Sequence, residues 1–407
     1  MIFKLEVKYE MGNRDLDRGI KTYIQSMKTV VLVSIILTSI LGCKRTITGP
    51  KPPSGDNEIE YPFNVSDNTT QSYQPQIAID GDGNIHILWM DGGATEYEKS
   101  YIYHRVYSPE SGIWSNIDTI SDTLGDCWIG GAVSDIYGNI HVVWLEYKSD
   151  GSHTYYRELY SGGYWSDIVE LTDTQDADQP VIAADSMGGV HVMWNSYHGY
   201  LYKYKGSGGV WQWRDTLGTT MVNPSLYAKP DGSLIMVLSP WYDVSYYEHP
   251  FGGRWSSEEV VDTSGLHVNS WLGAAYYDEE EERTIVVWSE GYTRMMYRYK
   301  YNNGQWSEPH YVYAQGTSDM PRVKKVFKHD GRTYLIWGDG IFRLYMGIAP
   351  DELSDTNMKV KLIEDPGAPY FDCILDSNGT IHLVWACEGP DSREDNDVYY
   401  TEIQLAR

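Results

Sequence analysis

Acidic side chains recur at one position of a repeated sequence segment. The segment ends in a run such as Ile-His-Val-Val-Trp, and in five copies a carboxylate stands two or three residues after the last residue of that run. These carboxylates are Asp91, Glu146, Glu290, Asp339 and Glu388. If they share one surface, burial and mutual repulsion could raise the pKa of one of them, which would suit acid–base catalysis or cation binding. The simpler expectation is that they are solvated strand ends, because charged residues are mostly exposed.

A second set of candidate residues is mainly aromatic and lies outside the repeat pattern. It comprises Tyr73, Trp128, Trp241, Trp271, Tyr370 and the adjacent acid Asp243. Trp128 and Trp271 each stand seven residues before the Asp that ends the following strand, and Tyr73 holds the equivalent place. A sugar ring stacks on flat aromatic surfaces while its hydroxyls bond to nearby carboxylates and amides. We therefore predict a ligand site formed by this set, with packing between repeat units as the alternative.

The histidines fall into two groups. One position of the repeat is occupied in four copies by His86, His141, His191 and His382. Copies spread over separate repeat units cannot converge on one substrate, so we predict that they pack inside the protein. His198 and His267 lie in the variable loops and are the better acid–base candidates.

No metal or cofactor is predicted. Asp80–Asn84 begins like a calcium-binding loop, but it lacks the later Glu and coincides with the repeated turn, so we interpret it as a turn. The spacing of the cysteines offers no metal motif either.

The repeat itself predicts the fold. Its last residues are Trp89, Trp144, Trp194, Leu238, Trp288, Trp337 and Trp385, with spacings of 55, 50, 44, 50, 49 and 48. This period is typical of propeller blades. Strand-length apolar runs separated by Gly, Asp, Asn and Ser divide each copy into four strands. We predict an all-β fold, a seven-bladed β-propeller of four-stranded blades.

The second copy shows the predicted blade best. Its strands are expected at Gly130–Asp135, Ile140–Glu146, Thr154–Tyr160 and Trp165–Thr172. A Gly-x-Trp signature marks the fourth strand in five copies, and Lys359–Asp365 is the sixth candidate for this strand.

The last copy lacks a fourth strand of its own. Its third predicted strand, Asp397–Gln404, lies three residues before the end of the chain. The strand-like segment Tyr61–Asp67 otherwise has no partner, and we predict that it completes the seventh blade. Closure of the ring would pair both sheet edges that an open array leaves exposed.

The N-terminal region predicts export. Val30–Leu41 is an apolar stretch preceded by Lys28, and it is too short for a stable membrane span. It leads to Ile40-Leu41-Gly42-Cys43, which resembles the lipobox of bacterial lipoproteins and implies lipidation of Cys43; a plain signal peptide is the alternative. We predict a signal segment at 1–43, with Met27 as the true start of translation. A flexible tether at 44–60 and the propeller at 61–407 follow. The expected location is the bacterial cell envelope, with the membrane reached only through the N-terminal lipid.

Charge excludes one class of partner. Residues 1–43 hold six basic and four acidic side chains. The rest of the chain therefore has 26 basic and 53 acidic side chains and a net charge of −27. A surface this acidic repels nucleic acid. A monomer is expected, with a glycan or a protein as ligand. Cys127, Cys373 and Cys387 are expected to be buried thiols, because Cys373 and Cys387 lie out of register for pairing with each other.

Gly-Asn-Ile-His-Val-Val-Trp at 138–144 and Gly-Tyr-Trp-Ser at 163–166 resemble the sialidase-like, BNR-type repeat propellers of exported bacterial proteins. The resemblance covers 61–407 and implies architecture. The Asp-box of that family is not matched, and sialidases have six blades. The resemblance would imply an arginine triad, for which Arg294, Arg322 and Arg393 are the candidates. Seven-bladed polysaccharide lyases of similar outline would use His and Tyr, here His198, His267 and Tyr242.

Three functions follow from these observations. The preferred one is a surface-tethered binding module, which needs only concavity, stacking and hydrogen bonds. The second is a glycoside hydrolase or polysaccharide lyase, which needs two acid–base groups at a defined separation, with Glu146 and Glu290 as carboxylate candidates. The third is a scaffold without a small ligand. Fold alone does not choose among them.

Overall fold

The computed structural model describes residues 62–68, 70–92, 99–122, 125–173, 176–218, 224–239, 243–262, 270–290, 294–312, 322–338, 344–349, 359–363, 370–388 and 396–405. Nothing in these ranges is helical, so they contain no helix that could cross a membrane. All of them belong to one compact unit.

These residues form short strands that group into seven antiparallel sheets, the blades. The strand that completes the last blade comes first in the chain, β1 (Phe63–Asn64). Blade 1 contains β2 (Gln71–Ile79), β3 (Ile85–Gly92), β4 (Ser100–Ser108), β5 (Ile113–Trp114) and β6 (Asp118–Thr119). Blade 2 contains β7 (Asp126–Ser134), β8 (Ile140–Lys148), β9 (Gly151–Tyr160), β10 (Tyr164–Trp165) and β11 (Val169–Glu170). Blade 3 contains β12 (Asp178–Ala184), β13 (Val190–Ser196), β14 (Gly199–Lys205) and β15 (Trp211–Leu217).

The remaining blades repeat the same order. Blade 4 contains β16 (Pro224–Ala228), β17 (Leu234–Leu238), β18 (Ser245–His249) and β19 (Glu259–Val260). Blade 5 contains β20 (Ser270–Asp278), β21 (Arg283–Glu290), β22 (Arg294–Tyr301) and β23 (His310–Val312). Blade 6 contains β24 (Arg322–His329), β25 (Arg332–Gly338), β26 (Leu344–Ala349) and β27 (Lys359–Ile363). Blade 7 contains β28 (Phe371–Leu375), β29 (Thr380–Glu388) and β30 (Asn396–Gln404), followed in space by β1.

The predicted seven-bladed propeller is therefore confirmed. One detail of the predicted blade is wrong: in blades 1 and 2 the fourth strand is divided into two short pieces, and both pieces pair with the third strand. The predicted strand Trp165–Thr172 is interrupted between β10 and β11. The interruption coincides with Ser166, whose hydroxyl accepts a hydrogen bond from the backbone N–H of Glu158.

The repeated Asp organises the turn between the first two strands. In blade 2, Oδ1 of Asp135 accepts the backbone N–H groups of Tyr137 and Asn139, and Gly138 adopts a φ of 79°. Oδ2 of the same carboxylate lies 3.1 Å from Nε2 of His141. Although burial acts in the opposite direction, hydrogen bonds with His141 and Asn139 lower the pKa of Asp135 to about 2.

The histidines of the repeat serve this internal network. Nδ1 of His141 lies 2.6 Å from the hydroxyl of Tyr156, and His191 and His382 pair in the same way with Tyr202 and Tyr400. All four repeat histidines are almost fully buried. They form hydrogen bonds within their own blades and do not face a common site.

The hydrophobic core lies between neighbouring blades. The Trp that ends the second-strand run is buried in six blades, and Leu238 takes its place in blade 4. The indoles of the Gly-x-Trp signature connect the blades. Each packs, mostly edge-on, against an aromatic ring of the preceding blade's third strand, in the pairs Trp114–Tyr400, Trp165–His104, Trp211–Tyr156, Trp255–Tyr202 and Trp306–Tyr246.

A cation on the third strand forms a second connection to the preceding blade. Arg157 donates from Nη1 to the carbonyl oxygen of Ile120 at 2.8 Å, and Arg298 donates to that of Val261 at 2.9 Å. In blade 1, Arg105 donates in the same way to Val65 at 2.8 Å. Val65 thus occupies in blade 7 the position that Ile120 occupies in blade 1.

The N-terminal segment closes the ring as predicted. Phe63 and Asn64 pair with Tyr400 and Tyr399, and the N–H of Val65 donates to the carbonyl oxygen of Val398 at 2.7 Å. The Val65 side chain is fully buried in the cluster between blades 7 and 1. The closure joins residues more than 300 positions apart and leaves β30 paired on both sides.

The cysteines agree with expectation at two positions. Cys127 and Cys373 are buried free thiols, and burial raises the pKa of each to about 12. The expectation of a third thiol is wrong, because Cys387 is disulfide-bonded. The register of the last hairpin pairs Cys373 with Leu383 and Cys387 with Asp397 in the backbone ladder, so these two cysteines do not face each other.

Candidate functional site

The register of the sheets places the candidate residues at one end of the blades. The start of each first strand lies opposite the end of the second strand, so Tyr73 pairs with Met90, Trp128 with Leu145 and the backbone of Trp271 with Ser289. The loops between second and third strands leave from this end, which we call the mouth face. The turns between first and second strands lie at the opposite end, which we call the turn face.

Two exposed aromatic rings share one side of blade 2 at the mouth face. Side chains directly opposite in an antiparallel ladder lie on the same side of the sheet, and those two residues apart along a strand do as well. Trp128 opposite Leu145 and Tyr147 opposite Asp126 therefore share a side. Trp128 is 44% exposed and Tyr147 is 46% exposed, which is unusual for such large apolar surfaces.

A carboxylate of the next blade, Asp178, lies close enough to Tyr147 to act on its hydroxyl. Burial and the negative charge of Asp178 raise the pKa of Tyr147, and burial also raises the pKa of Asp178. We call Trp128, Tyr147 and Asp178 the blade 2 shelf. Sequence reasoning missed Tyr147 and Asp178. Tyr147 could have been found, because strand parity alone places it on the side of Trp128.

Tyr73 and Tyr370 belong to the seam between blades 1 and 7. Their rings meet edge to face with centroids 6.4 Å apart. The hydroxyl of Tyr73 donates to Oε1 of Gln71 at 2.7 Å, and Nδ2 of Asn396 donates to the same oxygen at 3.0 Å. Tyr73 also packs against the hydrophobic cluster between blades 1 and 2. Tyr73 is therefore engaged in packing and hydrogen bonding, whereas Tyr370 contacts Tyr73 and remains 37% exposed.

The acids at the ends of the second strands are not solvated. Asp91, Glu146 and Glu290 are only 1–4% exposed, so the expectation of solvated strand ends is wrong for these three. Each lies on the side of its blade that faces the preceding blade. For Asp91 and Glu146, described residues of the preceding interblade segment lie against the carboxylate, a contact that strand parity alone does not reveal.

Asp91 is fully satisfied by its surroundings. Its carboxylate accepts hydrogen bonds from Asn68 and Thr70, which lie between the closing strand and β2, and from Ser72 of β2. The indole of Trp89 donates to Oδ2 at 3.4 Å. Four donors on one carboxylate make Asp91 an anchor for the N-terminal segment.

Glu146 occupies the same position in blade 2 without such partners. It is 1% exposed, and neither of its oxygens forms a hydrogen bond with the described residues. Nζ of Lys148 lies 3.6 Å from Oε1, beyond hydrogen-bonding distance. Burial and the nearby Asp122 carboxylate raise the pKa of Glu146 to about 7, against the opposing effect of Lys148. A Cβ atom added at Gly125 would lie 2.6 Å from Cγ of Glu146, so the carboxylate is tightly enclosed.

The ammonium of Lys148 is occupied by another group. It donates to the hydroxyl of Tyr155 at 2.5 Å, and Tyr155 donates to Oε2 of Glu170 at 3.2 Å. Nδ1 of His153 lies 2.8 Å from the other oxygen of Glu170. This chain leads from Lys148 toward the outer strand of blade 2, and it leaves Glu146 at its inner end with a 3.6 Å ion pair to Lys148 but no hydrogen bond.

The arginine candidates lie on other blades. Arg294 is 51% exposed on the side chain and approaches Glu290 of its own blade at 3.5 Å. Arg322 is partly buried at the start of β24. Neither contacts the blade 2 shelf. His198 lies in the exposed turn between β13 and β14, where its N–H donates to Oγ of Ser196.

Several predicted site residues lie outside the described residues. These are Trp241, Tyr242, His267, Asp339 and Arg393, together with the lipidation candidate Cys43. Only the backbone is described for Trp271 and Glu388. Asp243 is described and half-buried just before β18.

One group of side chains within the described residues has metal-ligand types close together. Ligand atoms of Asp135, His141 and Glu158 lie within 4.8 Å of one another. The Asp135–His141 contact recurs in blades 1, 3 and 7, where it supports the turn. Glu158 already pairs with the ammonium of Lys205. The group is accounted for by hydrogen bonds and an ion pair of the fold.

These features define a seven-bladed β-propeller with an aromatic and acidic mouth face. Virginiamycin B lyase from Staphylococcus aureus is similar in structure, with 12% identity, a TM-score of 0.54 and coverage of 84% of this chain and 98% of that chain. The polysaccharide lyase Uly1 is 12% identical with a TM-score of 0.53, and the match covers 89% of this chain and 94% of that chain. A protein of unknown function from Dyadobacter fermentans is 10% identical with a TM-score of 0.51, and the match covers 86% of this chain and 100% of that chain.

These similarities establish the fold. No protein-family model matches the chain, and no curated protein matches it. The β-propeller architecture that the sequence resemblance implied is confirmed by the seven sheets.

Proposed function

We propose that the protein is a lipid-anchored propeller of the bacterial cell envelope that binds a neutral glycan at the blade 2 shelf. The observation that supports this most strongly is the pair of exposed rings, Trp128 and Tyr147, on one side of a blade beside Asp178. A sugar ring would stack on the indole or the phenol, while its hydroxyls bond to the carboxylate.

Charge limits the class of glycan. With a net charge of −27 on residues 44–407, long-range repulsion disfavours uronic and sialic acids, and the shelf adds a carboxylate rather than a cation. Lys148, which follows Tyr147 in the sequence, is engaged elsewhere, because its ammonium donates to the hydroxyl of Tyr155. Neutral hexose or pentose polymers are therefore the proposed ligands.

The lipid anchor rests on the sequence, and it requires the sulfur of Cys43 to carry the lipid and therefore not to be the disulfide partner of Cys387. The apolar stretch Val30–Leu41, followed by Cys43 and a Pro, Gly and Ser-rich segment, supports export, acylation and tethering. The tether would hold the ring near a membrane while leaving its mouth free for a polymer.

An enzyme is the second candidate, and Glu146 is the observation that favours it. A carboxyl group whose pKa is about 7 suits general acid–base catalysis at neutral pH. Its 1% exposure opposes direct contact with a substrate, so we prefer the binding function.

A glycan array with the purified protein tests the proposal. We expect retention of neutral polysaccharides and no retention of sialylated or uronic acid-containing ones. The best binder is then incubated with the protein, and reducing ends and unsaturated products are measured. Absence of any glycan binding would contradict the proposed function, whereas product formation would favour the enzyme.

A further inference from the structure

The path of the N-terminal segment gives the ring an orientation. β1 runs antiparallel to β30. β30 ends at the turn face, since the N–H of Leu405, just beyond it, donates to the carbonyl oxygen of Gly379 in the first turn of blade 7. The chain therefore reaches β1 from the turn face. Any anchor that precedes Phe63 is attached to this side of the ring.

The turn face carries exposed apolar side chains on one group of neighbouring blades. We call them the apolar sector, and they are Ile113, Tyr137, Tyr164, Met187, Val210 and Phe251, each 42–66% exposed. They lie in the turns of blades 1 to 4 or at the first strand residue directly after such a turn. Blade 1 is the neighbour of blade 7, where the N-terminal segment joins the ring.

The turns of this sector touch one another. A Cβ atom added at Gly188 in blade 3 would lie 2.4 Å from the ring of Tyr137 in blade 2. One added at Gly232 in blade 4 would lie 2.3 Å from Cε of Met187 and 2.9 Å from the ring of Phe251. Tyr137, Met187 and Phe251 thus lie along one surface across blades 2 to 4, with Ile113, Tyr164 and Val210 exposed in the neighbouring outer turns of blades 1 to 3, and exposed apolar surfaces mark interaction sites.

The same turn positions are polar elsewhere in the ring. The middle residue of Gly-x-Trp is Ile113, Tyr164 and Val210 in blades 1 to 3, but Arg254 and Gln305 in blades 4 and 5. The place that Tyr137 and Met187 hold in the first turns of blades 2 and 3 is taken by an exposed polar residue in every other blade, namely Asp82, Asp231, Glu280, Asp330 and Asn378 in blades 1, 4, 5, 6 and 7. Since polar residues serve equally well in these turns, the turn geometry does not require the apolar ones.

We propose that the apolar sector docks on the lipid surface to which the protein is anchored. The inference rests on the proposed lipidation of Cys43. Phe63 follows Cys43 by 20 positions, a length that reaches at most about 70 Å and on average about 25 Å as a flexible chain. A tether of this length, attached on the turn face, keeps the sector close to the bilayer.

The chemistry of the sector suits the interfacial zone of a membrane. Ile, Val, Met and Phe insert apolar groups among the acyl chains, and Tyr places its ring at headgroup level. The acidic chain would be repelled by anionic headgroups, so a zwitterionic surface is the proposed partner. Docked in this way, the ring turns its mouth face away from the membrane.

Cleavage of the tether on vesicles tests the docking. The full lipidated chain, carrying a protease site within 44–60, is reconstituted on phosphatidylcholine vesicles, cleaved and separated by flotation. We expect much of the native ring to remain with the vesicles after cleavage. In the variant Ile113→Gln, Tyr164→Gln, Val210→Gln, which introduces the residue found in blade 5, the ratio of retained to released ring should fall at least about tenfold. Tyr197→Gln and Tyr311→Gln, exposed aromatics elsewhere, serve as controls.

The other outcomes are equally decisive. Complete release of the native ring, or equal retention of the native ring and the triple variant, would overturn the docking. Retention that disappears at low protein density, with released rings that cross-link as dimers, would assign the sector to a second copy instead. If the uncut chain fails to float, the lipid anchor is wrong, and the partition of the cleaved ring onto added vesicles still decides the docking.

Discussion

Val65→Asp is expected to destabilise the whole ring by roughly 3–5 kcal/mol. The side chain of Val65 is fully buried between blades 7 and 1, and its backbone is bonded to both Val398 and Arg105. An aspartate there would place an unpaired charge in the cluster that contains Trp89 and Tyr400. Loss of β1 would expose the edge of β30 and open the ring.

Chemical denaturation measures this effect, and the same substitution at an exposed site provides the control. Val210→Asp introduces the same charge at a residue that is 66% exposed, and it should change the free energy of unfolding by less than about 0.5 kcal/mol. Hydrogen exchange should show faster exchange at Val398 and Tyr400 in the Val65 variant. Equal stability of the two variants would mean that the N-terminal segment does not complete blade 7.

Glu146→Gln is expected to stabilise the protein above pH 7. Because the pKa of Glu146 is about 7 in the fold and about 4.5 in the unfolded chain, the native state holds the proton more tightly. Stability should therefore fall as pH rises from about 4.5 to 7, by about 3 kcal/mol in total. A neutral glutamine removes this loss. The variant should match the native chain near pH 4.5 and exceed it at pH 8.

Asp91, the equivalent acid of blade 1, provides a matched comparison, because its replacement by Asn should lower the free energy of unfolding rather than raise it. In Asp91→Asn, an amide nitrogen would face donors from Asn68, Thr70 and Ser72, so stability should fall by about 2 kcal/mol at neutral pH. Urea unfolding of both variants at pH 5 and pH 8 measures the contrast. A Glu146→Gln variant that follows the native pH profile would refute the inference that this carboxylate is buried without a hydrogen bond.

The repeat made the fold predictable from sequence. Regular spacing of the second-strand Trp and of Gly-x-Trp fixed the number of blades and most strands. Closure was inferred because Tyr61–Asp67 lacked another partner. A stronger signal was present: Val65-Ser66-Asp67 matches Ile120-Ser121-Asp122 and Leu171-Thr172-Asp173, and the hydroxyls of Ser66, Ser121 and Thr172 each accept a backbone N–H of a third strand.

The environment of the acids could not be predicted in the same way. Periodicity assigns Asp91 and Glu146 to the same position of the repeat. The carboxylate of Asp91 nevertheless accepts four hydrogen bonds, whereas that of Glu146 accepts none. The difference comes from the loop of the preceding blade, whose sequence is not part of the repeat. Contacts of this kind depend on how two blades meet. The same reason explains why Asp178 of blade 3 was not assigned to the site of blade 2.

The most direct test of the proposed ligand site compares two tryptophans of similar exposure. Trp128 on the mouth face is 44% exposed, and Trp213 on the outer strand of blade 3 is 47% exposed. Calorimetric titration with the best array glycan should show at least about tenfold weaker binding for Trp128→Ala, as for loss of an aromatic anchor. Trp213→Ala should bind like the native protein. Unchanged affinity in a correctly folded Trp128→Ala variant would contradict the site.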